Sequence, residues 1–174
     1  MTIILALFNQ SGGVGKSTLT MNLGHQLAQH KQRVLLVDMD PQASLTTFMG
    51  LDPDEQEATI YNALVDDEQT GLVMDMPILM DYHGVDLCPA NINLSAAELV
   101  LVTADMRDVR LRDALEPVRD RYDVILIDCP PSLGLLSYVS LVAATHVLVP
   151  IQTQFKAFAG TNLLLNTLAR VKRR

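Results

Sequence analysis

The chain has 174 residues, 49% of them hydrophobic, with 5% aromatics and no tryptophan. That length and apolar content suffice for one well-buried core, while the shortage of aromatics argues against a base-stacking platform for single-stranded nucleic acid. The net charge of −7 is unevenly spread: residues 51–87 hold ten of the 20 acidic residues and none of the 13 basic ones, so the acidic balance does not exclude a DNA-binding face elsewhere.

The first predicted strand is Thr2–Phe8. Directly after it stands Gln10-Ser11-Gly12-Gly13-Val14-Gly15-Lys16-Ser17-Thr18, a phosphate-binding loop in its expected context, strand before and helix after. The glycines let the backbone curl so that several N–H groups point at one anion. Lys16 adds a cation for the β- and γ-phosphates, and Ser17 offers a hydroxyl to Mg²⁺ at the positive end of a helix. These residues predict binding of a nucleoside triphosphate such as ATP with its magnesium. Asn9 steadies the loop or serves only as a turn former.

A helix follows over Lys16–His30, with Leu19, Leu23 and Leu27 at four-residue spacing. Arg33–Val37 is an apolar run suited to a parallel strand covered on both faces. A short helix is expected over Ala43–Met49, another near Ile60–Val65, and an edge-strand segment around Ile78–Cys88. The acidic segment itself, about residues 51–87, reads as a solvated insertion or as a docking surface for a basic partner. Leu94–Leu101 and Leu111–Arg119 look helical, Asp123–Asp128 and His146–Pro150 read as buried strands, and Phe155–Arg170 reads as a helix with Leu164, Leu168 and Val171 facing inward. Alternation of strands and helices implies an α/β fold, a mostly parallel sheet with helices on both faces. Ligands then sit at the carboxyl ends of the strands, where the phosphate loop lies. Residues 1–174 are expected to form one such P-loop NTPase domain.

Three aspartates carry candidate chemistry. Asp128 ends an apolar strand, where a carboxylate holds the water shell of Mg²⁺ together with Ser17. Asp38 and Asp40 end the second strand two residues apart, on one face if the strand persists; either could instead cap the following helix. Cys88 and Cys129 lack metal-type spacing and read as reduced structural cysteines. The longest apolar stretch is too short to span a bilayer and no cationic leader precedes one. The expectation is a cytoplasmic protein with no membrane segment.

The loop departs from the general pattern by its double glycine. Together with Asp38-Met39-Asp40-Pro41-Gln42, Ile127-Asp128-Cys129-Pro130-Pro131-Ser132 and Pro150-x3-Gln154-Phe155-x4-Gly160, it resembles the deviant Walker A box of the ParA/MinD family of dimeric ATPases, and the ParA branch in particular. The resemblance covers nearly the whole chain. It implies a homodimer closed by ATP, nonspecific binding to nucleoid DNA, and a small adaptor protein that stimulates slow hydrolysis. It implies that Asp40 positions the attacking water, that Asp38 belongs to the metal's surroundings or couples the switch segment to it, and that Thr18 donates to the α-phosphate. Pro130-Pro131-Ser132 falls where the family senses the γ-phosphate. Family members usually continue further, so 174 residues looks like a truncated or minimal domain.

The family's signature lysine, which reaches the partner subunit's ATP, is replaced here by Ser11. A serine carries no charge. Of the four lysines, Lys16 already serves the loop; among the other three, the resemblance puts Lys156 next to the family's dimer and nucleotide surface, where it is either the replacement for the signature lysine or an ordinary water-facing residue. Serine at this position also resembles the carboxysome-positioning subgroup, with plasmid or chromosome cargo close behind. Readings from other classes are a dethiobiotin-synthetase-like enzyme, a membrane-associated MinD-like ATPase, a nitrogenase-type iron protein (which would need Cys129 at a cluster), and a nucleotide-gated binding module. The arginine-bearing stretch 107–121 alternates with acids and reads as a solvated face, leaving Lys172-Arg173-Arg174 as the better DNA-contacting edge.

Overall fold

The computed structural model describes residues 1–66, 71–153 and 169. Strands β1 (Ile3–Leu7), β2 (Val34–Asp38), β3 (Leu79–Tyr82), β4 (Val85–Cys88), β5 (Val124–Asp128) and β6 (His146–Leu148) form one sheet in the order β3-β4-β2-β5-β1-β6. All neighbours pair in parallel except β3 with β4. The α/β, mostly parallel P-loop architecture expected from the alternating pattern is the one observed.

Side-chain alternation divides the core in two. From β2, Leu35 and Val37 face a cluster completed by Ile60, Leu94, Leu111 and Leu136, whereas Val34 and Leu36 face a second cluster with Leu45 and half-buried Leu19, Leu23 and Leu27. Each wholly buried leucine of this kind contributes about 1.5–3 kcal/mol relative to exposure. Helices α1 (Lys16–Gln29) and α2 (Ser44–Phe48) cover the second cluster; α3 (Ile60–Leu64), α4 (Leu94–Thr103), α5 (Arg110–Leu115) and α6 (Leu135–Ala143) cover the first.

Four local readings change. The deepest line of α1 is Lys16, Thr20 and Gly24, not the leucine stripe, because a Cβ at Gly24 would stand only 2.6 Å from Leu36 Cδ2 and its absence lets the helix sit close. The segment around Ile78–Cys88 is a hairpin, not one edge strand: His83 (φ 54°) and Gly84 (φ 82°) are both left-handed, as a tight two-residue turn demands. Helix α5 stops at Leu115, ahead of Pro117, whose ring cannot continue a helix. Helix α6 was not expected at all; Leu136, Ser137, Val139, Ser140, Leu141 and Ala143 are all buried, so no polar face marks its period.

Among the described residues, no helix is long and apolar enough to cross a membrane. The arginines of 107–121 pair locally: Arg119 with Glu116 at 2.9 Å, Arg112 with Asp113 at 3.2 Å, and Arg110 across to Asp66 at 2.6 Å. The helix expected over 155–170, Lys156 and the terminal Lys172-Arg173-Arg174 lie outside the described residues.

Candidate nucleotide-binding site

The C-terminal ends of β1, β2 and β5 meet at one edge, and their side chains build the site. Leaving β1, the Asn9 side chain braces the turn twice: Oδ1 accepts the Ser11 N–H at 2.9 Å and Nδ2 donates to the Pro150 carbonyl at 2.7 Å. Asn9 thus both forms the turn and ties the loop across to the β6 exit. Gly13 (φ 70°) and Gly15 (φ 87°) adopt left-handed conformations that a side chain would strain. Helix α1 then starts with no side-chain cap and no acid within its own first turn, leaving its terminal N–H groups without a capping side chain. Gln152, beyond β6, donates to the Gly13 carbonyl at 3.1 Å.

Lys16 folds back over the loop. It is 7% exposed and its Nζ donates to the Ser11 carbonyl at 3.2 Å. Burial lowers its pKa, against the opposing pull of Asp128 and Asp40. The loop thus holds a concentrated, poorly hydrated positive charge flanked by two carboxylates.

Asp128 is wholly buried at the end of β5. The nearby Ser17 hydroxyl opposes the rise in its pKa, and Thr20 Oγ1 approaches Oδ1 at 3.5 Å while donating to the Lys16 carbonyl at 3.0 Å. Its other oxygen, Oδ2, is buried without a partner among the described residues. A buried carboxylate oxygen with no donor is costly, and one beside a serine hydroxyl fits a hydrated Mg²⁺. Burial first, then the Asp38 charge, pushes the Asp128 pKa up to about 7.

Asp38 lies level with Asp128 across the β2–β5 pair, wholly buried, and is spoken for. Oδ1 accepts the Asp40 N–H at 3.1 Å, while Oδ2 accepts the Thr46 N–H at 2.9 Å and the Thr46 hydroxyl at 2.8 Å. Asp40 is 8% exposed; its Oδ1 accepts the Gln42 N–H at 3.0 Å, and burial raises its pKa while Lys16 opposes the rise. Ala43 follows in a left-handed conformation (φ 51°) that turns the chain into α2.

On the far side, Ser137 Oγ donates to the Ser132 carbonyl at 2.6 Å and fixes the Pro130-Pro131-Ser132 turn to α6. Gly134 is packed so closely against Glu98 of α4 that a Cβ would collide with the carboxylate. Thr18 is exposed at the start of α1, and Gly12 and Ser11 are exposed on the loop surface beside half-buried Val14. The fold therefore gathers Asn9, Ser11, Gly12, Gly13, Val14, Gly15, Lys16, Ser17, Asp38, Asp40 and Asp128 at one strand edge. Sequence reasoning overlooked Thr20, Thr46 and Gln152. Thr20 had a signal, four residues from Lys16 on the same helical face; Thr46 and Gln152 had none beyond their proximity to the quoted motifs.

A family model described as an AAA domain matches residues 1–174. The chain belongs to that family, in its ParA-like branch. It is 45% identical to the sporulation initiation inhibitor protein Soj of Bacillus subtilis over 170 residues, 98% of this chain and 66% of Soj. It is 44% identical to the chromosome partitioning protein ParA of Myxococcus xanthus, covering 97% of this chain and 59% of that one. Among solved structures, a cobyrinic acid a,c-diamide synthase of Mycobacterium smegmatis with a bound ATP analog and magnesium superposes with a TM-score of 0.89 at 38% identity, over 99% of this chain and 69% of that one. The apo McdA structure of Cyanothece gives 0.86 at 28% identity, over 99% and 67%. The chain spans about two thirds of the length of Soj. ATP-analog and magnesium binding in a relative agrees with the donor set assembled here.

Proposed function

We propose that this ParA-like protein is a slow, partner-stimulated ATPase that positions intracellular cargo by binding DNA nonspecifically in its ATP-bound dimeric state. The observation that carries the reading is the convergence of Lys16, Ser17, Asp40 and Asp128, with the orphaned Asp128 Oδ2, on one strand edge. Phosphoryl transfer to water needs clamped phosphates, neutralised charge and a placed water, and asks little covalent chemistry of the protein. The loop N–H groups and Lys16 would clamp the phosphates, with Thr18 at the α-phosphate. Ser17 and Asp128 would hold Mg²⁺, with Asp38 behind them. Bound magnesium would supply charge neutralisation at the phosphate oxygens. Asp40 would order the attacking water, its raised pKa suiting a group that must accept a hydrogen bond and release it.

The cargo reading follows likeness. The chromosome partitioning protein ParA, at 44% identity, stands nearer than McdA at 28%, so a chromosome fits better than a carboxysome despite Ser11. Lys156 is proposed to take the signature lysine's place toward the partner's ATP. A second reading, an ATP-dependent enzyme acting on a carboxylic acid, draws on the synthase structure at 38% identity.

The test is retention on nonspecific duplex DNA with ATP or ADP, paired with phosphate release. ATP-dependent, salt-sensitive retention supports the switch. Hydrolysis that requires a carboxylic acid substrate, without DNA binding, would transfer the assignment to the enzyme reading.

A further inference from the structure

We infer that Thr46 is a positioning residue for hydrolysis: its hydroxyl, held between the Ala90 N–H and the Asp38 carboxylate, fixes the Asp40 peptide and through it the Asp40 side chain. Thr46 matters in this way only if Asp40 orders the attacking water, as proposed above.

Asp38 sits wholly buried, level with a second buried carboxylate, Asp128. Two like charges in a low-dielectric setting repel, and a carboxylate in that place keeps one orientation only if donors pin it. Three do. Two of them come from Thr46 alone, its N–H at 2.9 Å and its hydroxyl at 2.8 Å, both on Oδ2. The third is the Asp40 N–H on Oδ1 at 3.1 Å. Whatever orients Asp38 therefore also orients the peptide that carries Asp40.

The hydroxyl rotor of Thr46 is itself set. Its oxygen accepts the N–H of Ala90, just past β4, at 3.0 Å, so its proton is directed to Asp38. One side chain thereby ties together the end of β2, the short helix α2 and the β4–α4 connection. Thr46 is fully buried, where an unsatisfied donor is expensive. Valine has the same shape as threonine but would strand the Ala90 N–H and take one donor from Asp38. Serine would keep every bond. Among the described residues no hydrogen bond joins Thr46 to the loop 10–18, which is where nucleotide affinity would arise.

The experiment compares wild type, Thr46→Val and Thr46→Ser for nucleotide affinity with a fluorescent ATP analogue, for kcat and KM of ATP hydrolysis, and for Tm. The core variant Leu115→Ala on α5 serves as a destabilised control. Thr46→Val is expected to lower kcat at least about tenfold while affinity and KM stay within about twofold of wild type. Thr46→Ser should recover kcat, and Leu115→Ala should lose Tm but keep its kcat below the transition. If Thr46→Val does not fold, Thr46→Ala is read in its place. Wild-type kcat in the folded variant overturns the inference. So does a parallel loss of kcat and affinity, or failure of both variants to fold. A wild-type protein that binds ATP without turnover instead refutes the ATPase reading itself, and the positioning role with it.

Discussion

Asp38 and Asp128 end adjacent strands in direct register, yet the Asp38 carboxylate accepts three hydrogen bonds while Asp128 leaves Oδ2 with none among the described residues. Two identical side chains at one level thus differ in their partners: one is pinned by three donors, and the other keeps an oxygen free of any among the described residues. Asp128→Asn should retain nucleotide binding but lose its dependence on Mg²⁺, with turnover reduced by about 10² or more. Magnesium titration of nucleotide affinity checks this; an unchanged magnesium dependence would count against the assignment.

The same pair gives stability a pH dependence. Burial raises Asp38 to about 6 and Asp128 to about 7, whereas an unfolded aspartate titrates near ~3.9. Between about pH 4 and pH 7 the folded metal-free protein therefore binds more protons than the unfolded chain, and stability falls as pH rises through that window. Asp123 works the other way at lower pH, since its bonds to Arg33 hold it down to about 2, and its contribution disappears as pH falls below about 4. Thermal melts of metal-free protein should show Tm declining from about pH 5 to pH 7. A rising Tm over that range would contradict the burial of the pair.

Asp40→Ala is expected to abolish turnover while leaving ATP binding in place, because the proposed phosphate clamp consists of the loop and Lys16. Parallel measurement of phosphate release and equilibrium binding decides it. Undiminished hydrolysis would remove Asp40 from the site.

Lys156→Ala should weaken ATP-dependent dimerisation and turnover without lowering the affinity of the monomer for ATP. Sedimentation velocity with a non-hydrolysable ATP analogue reads the association directly. Coincident dimerisation curves for mutant and wild type would return Lys156 to an ordinary surface role.

Gly24→Ala sets two known effects against each other. Alanine favours a helix over glycine by about 1 kcal/mol, but its Cβ would fall 2.6 Å from Leu36 Cδ2, and overpacking of a core costs about 1–3 kcal/mol. The second effect should win, lowering stability by up to about 2 kcal/mol and loosening the seat of α1 on the sheet. Denaturant melts test the sign; a stabilised variant would mean that Leu36 yields freely.

Much of this was legible in the chain itself. The loop 10–18 announces its conformation because glycine, lysine and serine are each demanded by a local requirement, and Asp38 and Asp128 follow apolar runs that could only be buried strands. Features lacking a local requirement stayed hidden. Helix α6 buries nearly every side, so its apolar residues show no stripe. Thr46 bonds to Asp38 and to Ala90, 44 positions away, a relationship set by β2 and β4 lying side by side. Gln152 reaches Gly13 over 139 positions for the same reason. Ser11 marks the place in the loop where the family's signature charge is absent.

Strand β1 lies between β5 and β6 in the sheet, so it has no sheet neighbour until the chain has been synthesised through residue 128. The loop it carries is completed later still, when Asn9 finds the Pro150 carbonyl and Gln152 finds Gly13. Contacts of such long sequence separation form slowly, since the intervening chain must be ordered first. A nascent chain arrested before β5 would therefore hold its phosphate loop without the walls that shape it, and nucleotide capture would report that synthesis had passed residue 152.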